Sequence, residues 1–203
     1  MPDSDDAREH REAMQKQQNE LRERRRSLKD PERGLVLVHT GDGKGKSSSA
    51  FGVMTRALGW GQRVGVVQFI KGKWKTGERQ FFATLEGSVD WYTMGDGFTW
   101  DTQDKEADTK AAKLAFDRAC TMLASGTYQL VVLDEINIAL RYAYLEVGAV
   151  IDGLEGRDAG TGVILTGRDA PPELCAYADL VSEIREIKHP YKAGIRAQRG
   201  IDF

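Results

Sequence analysis

Residues 35–48 read LVLVHTGDGKGKSS, and the order of elements within this stretch decides the fold. The stretch begins with an unbroken apolar run, which predicts a strand buried on both faces, as strands are in a parallel sheet. A glycine-rich loop follows directly, and Ser47 to Leu58 then has the apolar spacing of a helix. A strand, a glycine-rich loop and a helix in this order form the setting in which a phosphate-binding loop is recognised.

The loop carries the groups that a phosphate site needs. Its glycines allow backbone N–H groups to approach phosphate oxygens, and the helix that follows adds its positive end. Lys46 supplies a cation for the phosphates, and the Ser47 hydroxyl is a candidate ligand of Mg²⁺. The candidate nucleotide-binding residues of the loop are Thr40, Gly41, Asp42, Gly43, Lys44, Gly45, Lys46, Ser47 and Ser48.

Thr40 departs from the common pattern of such loops, G-x-x-x-x-G-K-[ST], which has glycine at this position. Gly41 and Gly43 supply the flexibility instead, and Lys44 adds a second cation. The loop alone therefore does not establish that a nucleotide binds here in the orientation that is usual for P-loop proteins.

A second apolar run ends in acidic residues. Residues 131–135 read VVLDE, which places Asp134 and Glu135 at the carboxyl end of a predicted strand. P-loop proteins use such a strand end to hold or polarise Mg²⁺, and ligands of an open parallel sheet bind beyond the carboxyl ends of its strands. The loop and the acidic pair can then reach one triphosphate. Because two such motifs rarely coincide by chance, a simple glycine-rich hairpin turn is disfavoured for the loop. The alternative for the acidic pair is a cap on the next helix.

The rest of the chain alternates apolar runs with helical patterns. The other apolar runs are Val64 to Phe69, Val89 to Met94, Val163 to Leu165 and Leu180 to Ile184, and the other helical patterns cover 107–123, Ile136 to Tyr144 and Pro172 to Ala178. Strands that alternate with helices predict βαβ units. We therefore expect an α/β fold over residues 34–203, a single P-loop NTPase-like (RecA-like) domain whose mostly parallel sheet has about six strands flanked by helices.

Residues 1–33 form a separate, charged arm with nine basic and nine acidic side chains. Its large apolar residues, Met14, Leu21 and Leu28, lie seven apart, and one apolar position per heptad is too few for a stable coiled coil. The arm is expected to be a solvated helix or disordered. The alternative is a helical arm that orders against a partner subunit or over an active site.

Composition excludes several classes of protein. The 29 basic and 31 acidic residues leave a net charge of −2, which argues against a chain that mainly wraps nucleic acid. No apolar run approaches 18 residues and the first residues lack an apolar signal segment, so we expect no membrane span and no secretion. Two cysteines, Cys120 and Cys175, fit a reducing cytoplasm better than a disulfide framework.

Two aromatic residues, Phe98 and Trp100, flank Thr99 on a glycine-preceded loop after the third predicted strand. Side chains two apart in an extended loop share a face, so the pair can form an apolar platform for a large flat ligand. Capping of the core is an equal alternative. Stacking on nucleic-acid bases is another, although no basic stripe accompanies the pair.

Six ordered motifs together resemble the P-loop family of ATP:corrinoid adenosyltransferases, and the resemblance covers roughly residues 34–203. The motifs are GDGKGKSS, VVQFIKG, GFTW, VVLDEINIAL, ILTGRDAP and the terminal KHPYKAGIRAQRGIDF. The resemblance implies an enzyme that transfers the 5′-deoxyadenosyl group of ATP to the Co(I) centre of a corrinoid and releases triphosphate. The corrinoids implied are cob(I)yrinic acid a,c-diamide, cobinamide or cobalamin, in adenosylcobalamin biosynthesis or salvage. Serines replace the Thr-Thr that the family often has at 47–48, and they keep the hydroxyl.

The resemblance also implies roles for individual residues. The leaving triphosphate would be stabilised by Lys44, Lys46 and the loop amides, together with Mg²⁺ or Mn²⁺. The metal ligands implied are Ser47, Asp134 and Glu135, and Arg168 is expected to reach the triphosphate or the sugar unless it forms only a surface salt bridge. Phe98 and Trp100 match the aromatic residues that displace the lower axial ligand of the corrin, and with Lys46 they are the candidate catalytic residues.

The resemblance further implies a homodimer whose N-terminal helix covers the partner's active site, and a reduced flavin or flavoprotein as electron donor. Three rival functions stay open from the residues alone. The first is an ordinary P-loop ATPase or small-molecule kinase, the second is a RecA-like nucleic-acid binding module, and the third is a nucleotide-dependent corrinoid carrier. The sequence leaves open which corrinoid is the physiological substrate and which reductant serves it.

Overall fold

The structure is a computed structural model that describes residues 5–70, 76–94 and 104–203. Internal contacts divide the chain into two units, Met1–Glu32 and Arg33–Phe203. The first unit contains helix α1 (Asp5–Ser27), whose Met14 and Leu21 are about half exposed. Three arginines occupy the last turn of α1, where cations interact favourably with the helix dipole.

The second unit alternates strands and helices as the sequence predicts. In chain order the elements are β1 (Val36–Thr40), α2 (Lys46–Gly59), β2 (Val64–Gln68), α3 (Gly77–Phe82), β3 (Val89–Thr93), α4 (Lys105–Ala124), β4 (Leu130–Asp134), α5 (Ile136–Arg141), α6 (Val147–Glu155), β5 (Gly162–Thr166), α7 (Pro172–Tyr177) and β6 (Leu180–Glu183). A short 3₁₀ helix at Pro190–Ala193 follows β6. None of the helices in the described part of the chain is both long and apolar enough to cross a membrane.

The six strands form one sheet in the order β3-β2-β4-β5-β1-β6, and every neighbouring pair is parallel. This arrangement confirms the predicted α/β class with a parallel sheet of six strands. The carboxyl ends of β1, β2, β4 and β5 therefore meet at one edge. In the register of the sheet, Gln68 lies beside Asp134 and His39 lies beside Thr166.

Helices cover both faces of the sheet, and each face has its own apolar core. On one face, Phe51 and Met54 of α2 pack in a cluster that includes Val66, Val132 and Ile164. On the other face, the cluster contains apolar residues of α4 and α6 together with Val67, Leu133 and Leu165 of the strands. Because adjacent strand residues point to opposite faces, the unbroken apolar runs of β2 and β4 are buried throughout.

The structure departs from the sequence-based expectations at several elements. Helices α3 and α6 were not anticipated, although Val147, Val150 and Leu154 of α6 have helical spacing. Helix α5 is shorter than expected because it stops before Ala143, which has a positive φ of 54°. Strand β6 is exposed along its length because it lies at an edge of the sheet.

Candidate functional site

The glycine-rich loop joins β1 to α2 and lies against the segment that follows β6. The N–H of Gly43 donates a 2.7 Å hydrogen bond to the carbonyl oxygen of Ile184. A Cβ atom on Gly41 would lie 2.5 Å from that same oxygen, and one on Gly43 would lie 2.7 Å from the carbonyl carbon of Arg185. Glycine is therefore required at both positions by close backbone approach, and Gly45 enters α2 with a φ of 120°.

Lys46 is buried at the start of α2, with 7% of its surface exposed. Its ammonium donates hydrogen bonds to the carbonyl oxygens of Gly41 (2.8 Å) and Gly43 (2.7 Å). Burial lowers the pKa of Lys46, while the nearby charge of Glu135 opposes that shift. The loop thus holds a buried cation, and lysine is a common point charge in phosphate recognition.

The acidic pair lies at the carboxyl end of β4. Asp134 is 2% exposed, and its carboxylate accepts hydrogen bonds from Thr166 Oγ1 (2.8 Å) and Gln68 Nε2 (3.0 Å). Glu135 adopts the left-handed conformation, with a φ of 61°, and its side chain makes no capping hydrogen bond to α5. The capping alternative is therefore wrong for Glu135.

The carboxyl of Glu135 has an unusual proton affinity. Burial raises its pKa to about 7, and the adjacent charge of Asp134 acts in the same direction. The charges of Lys46 and Arg168 oppose the shift. A carboxyl group with this pKa can lose its proton to solvent near neutral pH when a cation binds beside it.

The loop and the acidic pair border one cavity of about 730 Å³. Its lining includes most of the residues that the sequence singled out, namely Gly43, Lys44, Gly45, Lys46, Ser47, Ser48, Asp134, Glu135 and Arg168. Thr40 and Asp42 lie elsewhere among the described residues. Thr40 Oγ1 accepts a 3.0 Å hydrogen bond from the N–H of Ala170, and Asp42 borders a separate cavity with Arg185 and Lys192. Phe98 and Trp100 lie outside the described residues.

Sequence reasoning missed several residues of this cavity. Gln68 and Asp202 line it, and Thr166 lies directly behind Asp134. Asp202 Oδ1 forms a 2.6 Å ion pair with Lys44 Nζ, which ties the last residues of the chain to the loop. All three residues lie in motifs that carry the family resemblance, but no role at the site was assigned to them. Gln68 and Thr166 could have been noticed because each is a polar residue that ends an apolar strand.

The donor atoms at the site suit a hard divalent cation that binds together with a nucleotide. Carboxylate and hydroxyl oxygens are the ligands that Mg²⁺ prefers, and it usually binds through one or two carboxylates plus substrate phosphates. The described residues contain no group of three or more histidine, cysteine or acidic side chains able to hold a metal. Ser47, Asp134 and Glu135 line the cavity with oxygen atoms of the kind that Mg²⁺ prefers.

Comparison with known proteins gives consistent matches. The family model described as "ATP:corrinoid adenosyltransferase BtuR/CobO/CobP" matches residues 32–203. The corrinoid adenosyltransferase of Pseudomonas aeruginosa is 48% identical over 194 residues, which cover 96% of this chain and 95% of that protein. A corrinoid adenosyltransferase of Sinorhizobium sp is 45% identical, with 99% and 94% of the two chains covered.

A further relative, "Corrinoid adenosyltransferase CobA" of Salmonella typhimurium, is 43% identical, with 95% of this chain and 98% of that protein covered. Among solved structures, a KaiC-like protein of Pyrococcus horikoshii has a TM-score of 0.41 at 16% identity, covering 74% of this chain and 72% of that one, a likeness too distant to bear on function. Because the family match runs from before the loop to the last residue, the chain belongs to the ATP:corrinoid adenosyltransferases, a family of transferases.

Proposed function

We propose that this enzyme transfers the 5′-deoxyadenosyl group of ATP to the Co(I) centre of a corrinoid. A bond forms between cobalt and C5′ while the bond between C5′ and its oxygen breaks, and the leaving triphosphate keeps the electron pair of that bond. The corrinoid would be cob(I)yrinic acid a,c-diamide, cobinamide or cobalamin, within adenosylcobalamin biosynthesis or salvage. The proposal rests on one observation: Lys44, Lys46 and the acidic pair line the same cavity, in a chain that belongs to this family.

The loop residues would bind the triphosphate and stabilise it as it leaves. Positive groups aimed at a leaving group lower the barrier most when they are already in place before the reaction. Lys46 meets this condition because two loop carbonyls hold its ammonium. Lys44 and Arg168 add charge around the same cavity, and Arg168 would contact the triphosphate or the sugar.

Mg²⁺, or Mn²⁺ in its place, would be held by Ser47, Asp134 and Glu135. The cation supplies additional positive charge to the triphosphate. Glu135 would give up its proton to take part, and the raised pKa of its carboxyl makes that proton available near neutral pH.

Phe98 and Trp100 would displace the lower axial ligand of the corrin, which makes Co(II) easier to reduce. A reduced flavin or flavoprotein would supply the electron.

Cobalt is the nucleophile, so the reaction needs no general base. His39 and His189 then need no catalytic role. His39 is buried at the end of β1, and His189 Nδ1 accepts a 3.2 Å hydrogen bond from the N–H of Tyr191.

We further propose a cytoplasmic homodimer in which the N-terminal arm covers the partner's active site. The exposed Met14 and Leu21 of α1 give the arm apolar side chains for such a contact. Cys120 and Cys175 are free thiols, as a reducing compartment would leave them.

The test is to incubate the protein with ATP, Mg²⁺, a corrinoid and a strong reductant while recording the cobalt absorption spectrum. We expect a light-sensitive alkylcobalt spectrum, abolished in Lys46→Ala and retained in Lys113→Ala, which removes an exposed lysine of α4. Corrinoid binding without any change in the cobalt spectrum would instead indicate a carrier. ATP hydrolysis stimulated by single-stranded DNA would indicate a nucleic-acid binding module.

A further inference from the structure

Thr166, the last residue of β5, contacts both members of the acidic pair. Its hydroxyl donates a 2.8 Å hydrogen bond to Asp134 Oδ1 and accepts a 2.9 Å hydrogen bond from the backbone N–H of Glu135. A threonine hydroxyl has one proton and two lone pairs, so it satisfies both partners at once. Thr166 is fully buried, which leaves no water to substitute for either bond.

The carboxylate of Asp134 is held from both neighbouring strands. Strand β4 lies between β2 and β5, and Gln68 on β2 donates a 3.0 Å hydrogen bond from Nε2 to the second oxygen, Asp134 Oδ2. Two donors on opposite sides fix the rotation of the carboxylate. A buried carboxylate without them would be costly to keep charged.

The second bond of Thr166 stabilises an unfavourable backbone conformation. Glu135 has a φ of 61°, a left-handed conformation that is unfavourable for a residue other than glycine. The Thr166 hydroxyl accepts the hydrogen bond of the Glu135 N–H, at the residue where the chain turns from β4 into α5. The direction in which the Glu135 side chain leaves the backbone thus depends on Thr166.

The turn after Thr166 is anchored on two sides. The carbonyl oxygen of Gly167 accepts a 3.1 Å hydrogen bond from Asn137 Nδ2, and its N–H donates a 3.2 Å hydrogen bond to the carbonyl oxygen of His39. Gly167 has a φ of 131°, and a Cβ atom there would lie 2.8 Å from the Cβ of Asn137. Thr166 is therefore itself rigidly placed between the strand that carries the loop and the start of α5.

We propose that Thr166 is a positioning residue that orients the carboxylates of Asp134 and Glu135 toward the divalent cation that accompanies ATP. This inference rests on the proposed function, because it requires the acidic pair to bind a nucleotide-associated cation. Loss of the hydroxyl frees Asp134 to rotate and leaves the N–H of Glu135 unpaired. Cation affinity then falls, while the loop still binds the phosphate chain through Lys46.

The experiment compares Thr166→Val, which keeps the shape and loses the hydroxyl, with Thr166→Ser, which keeps the hydroxyl. The affinity of Mn²⁺ for the protein in the presence of ATP is measured by electron paramagnetic resonance, and the affinity of metal-free tripolyphosphate by calorimetry. Loss of a hydrogen-bond partner behind a metal ligand typically weakens metal binding by about 10- to 100-fold. We expect a loss of that size for Thr166→Val, near-wild-type Mn²⁺ affinity for Thr166→Ser, and unchanged tripolyphosphate affinity for both.

Wild-type Mn²⁺ affinity in folded Thr166→Val would overturn the proposal, and so would equal losses in Thr166→Val and Thr166→Ser. If Thr166→Val does not fold, Thr166→Ala is judged by the same affinities, since it removes the hydroxyl without placing a methyl group against the carboxylate. Neither the Mn²⁺ affinity nor the tripolyphosphate affinity depends on whether the enzyme forms product. A wild-type protein that binds Mn²⁺ and ATP but forms no alkylcobalt product would refute the proposed function alone.

Discussion

Two adjacent carboxyl groups behave differently because their surroundings differ. Asp134 accepts hydrogen bonds from two donors. Glu135 is partly buried, and the loss of solvent, together with the adjacent charge of Asp134, raises its pKa to about 7. Lys46 and Arg168 only partly offset this effect. In the absence of a cation, Glu135 is thus a group whose ionisation opposes folding.

Replacement of Glu135 by glutamine should change the pH dependence of stability in the metal-free protein. The folded state holds the Glu135 proton up to about pH 7, while the unfolded chain releases it near the ordinary glutamate pKa of 4.5. The free energy of unfolding therefore falls, through this group, as the pH rises from 4.5 to 7, and Glu135→Gln should remove that decline. Urea denaturation at several pH values measures it, with the exposed Glu155→Gln as the control. A decline as steep as in the wild type would contradict the assignment.

The role proposed for Phe98 and Trp100 can be tested separately. Phe98→Ala combined with Trp100→Ala should leave ATP affinity unchanged and slow the reduction of bound Co(II) several-fold, because these residues are proposed to act on the corrin alone. Calorimetry with ATP and the optical spectrum of bound Co(II) measure the two effects. If the double variant loses only folding stability, the role assigned to the aromatic residues is wrong.

At the scale of elements, β1, β2, β4 and β5 could be predicted because each is a mostly apolar run bounded by turns or charges, whereas the edge strands β3 (VDWYT) and β6 (LVSE) have weaker apolar patterns. The loop and the acidic pair could also be predicted, since both are continuous in sequence. The contacts of Thr166 and Gln68 with Asp134 could not, because they require β4 to lie between β2 and β5, and sequence order does not reveal strand order. The ion pair between Lys44 and Asp202 is equally long-range.

The C-terminal segment should compete with phosphate for Lys44. Asp202 Oδ2 accepts a 2.7 Å hydrogen bond from the N–H of Gln198, and Oδ1 faces Lys44 Nζ at 2.6 Å, so the segment presents an organised anion to the loop. An exposed ion pair competes only weakly, so Asp202→Asn should tighten tripolyphosphate binding by about two- to fivefold.

Calorimetry at low salt measures this effect. Glu186→Gln, which breaks the ion pair with Lys192, is the matched control. Weaker binding to Asp202→Asn would show that Asp202 supports Lys44 in its binding position instead of competing for it.

At the scale of the molecule, the chain consists of a charged helical arm and an α/β unit that contains the whole described cavity. The proposed homodimer gives the arm a function at the partner's site. Deletion of residues 1–30 should then raise the KM for the corrinoid and leave the affinity for ATP unchanged, because the phosphate-binding loop belongs to the second unit. Steady-state kinetics with each substrate varied in turn measures this. Unchanged corrinoid kinetics would refute a role for the arm.

The proposed reaction requires attack at the C5′ carbon of ATP and not at a phosphorus atom. Phosphorus NMR of the products formed from ATP, a corrinoid, Mg²⁺ and reductant distinguishes the two most directly. We predict inorganic triphosphate in amounts equal to the alkylcobalt formed. ADP together with orthophosphate or a phosphorylated product, without triphosphate, would mean that the site transfers or hydrolyses phosphoryl groups like an ordinary P-loop ATPase or kinase.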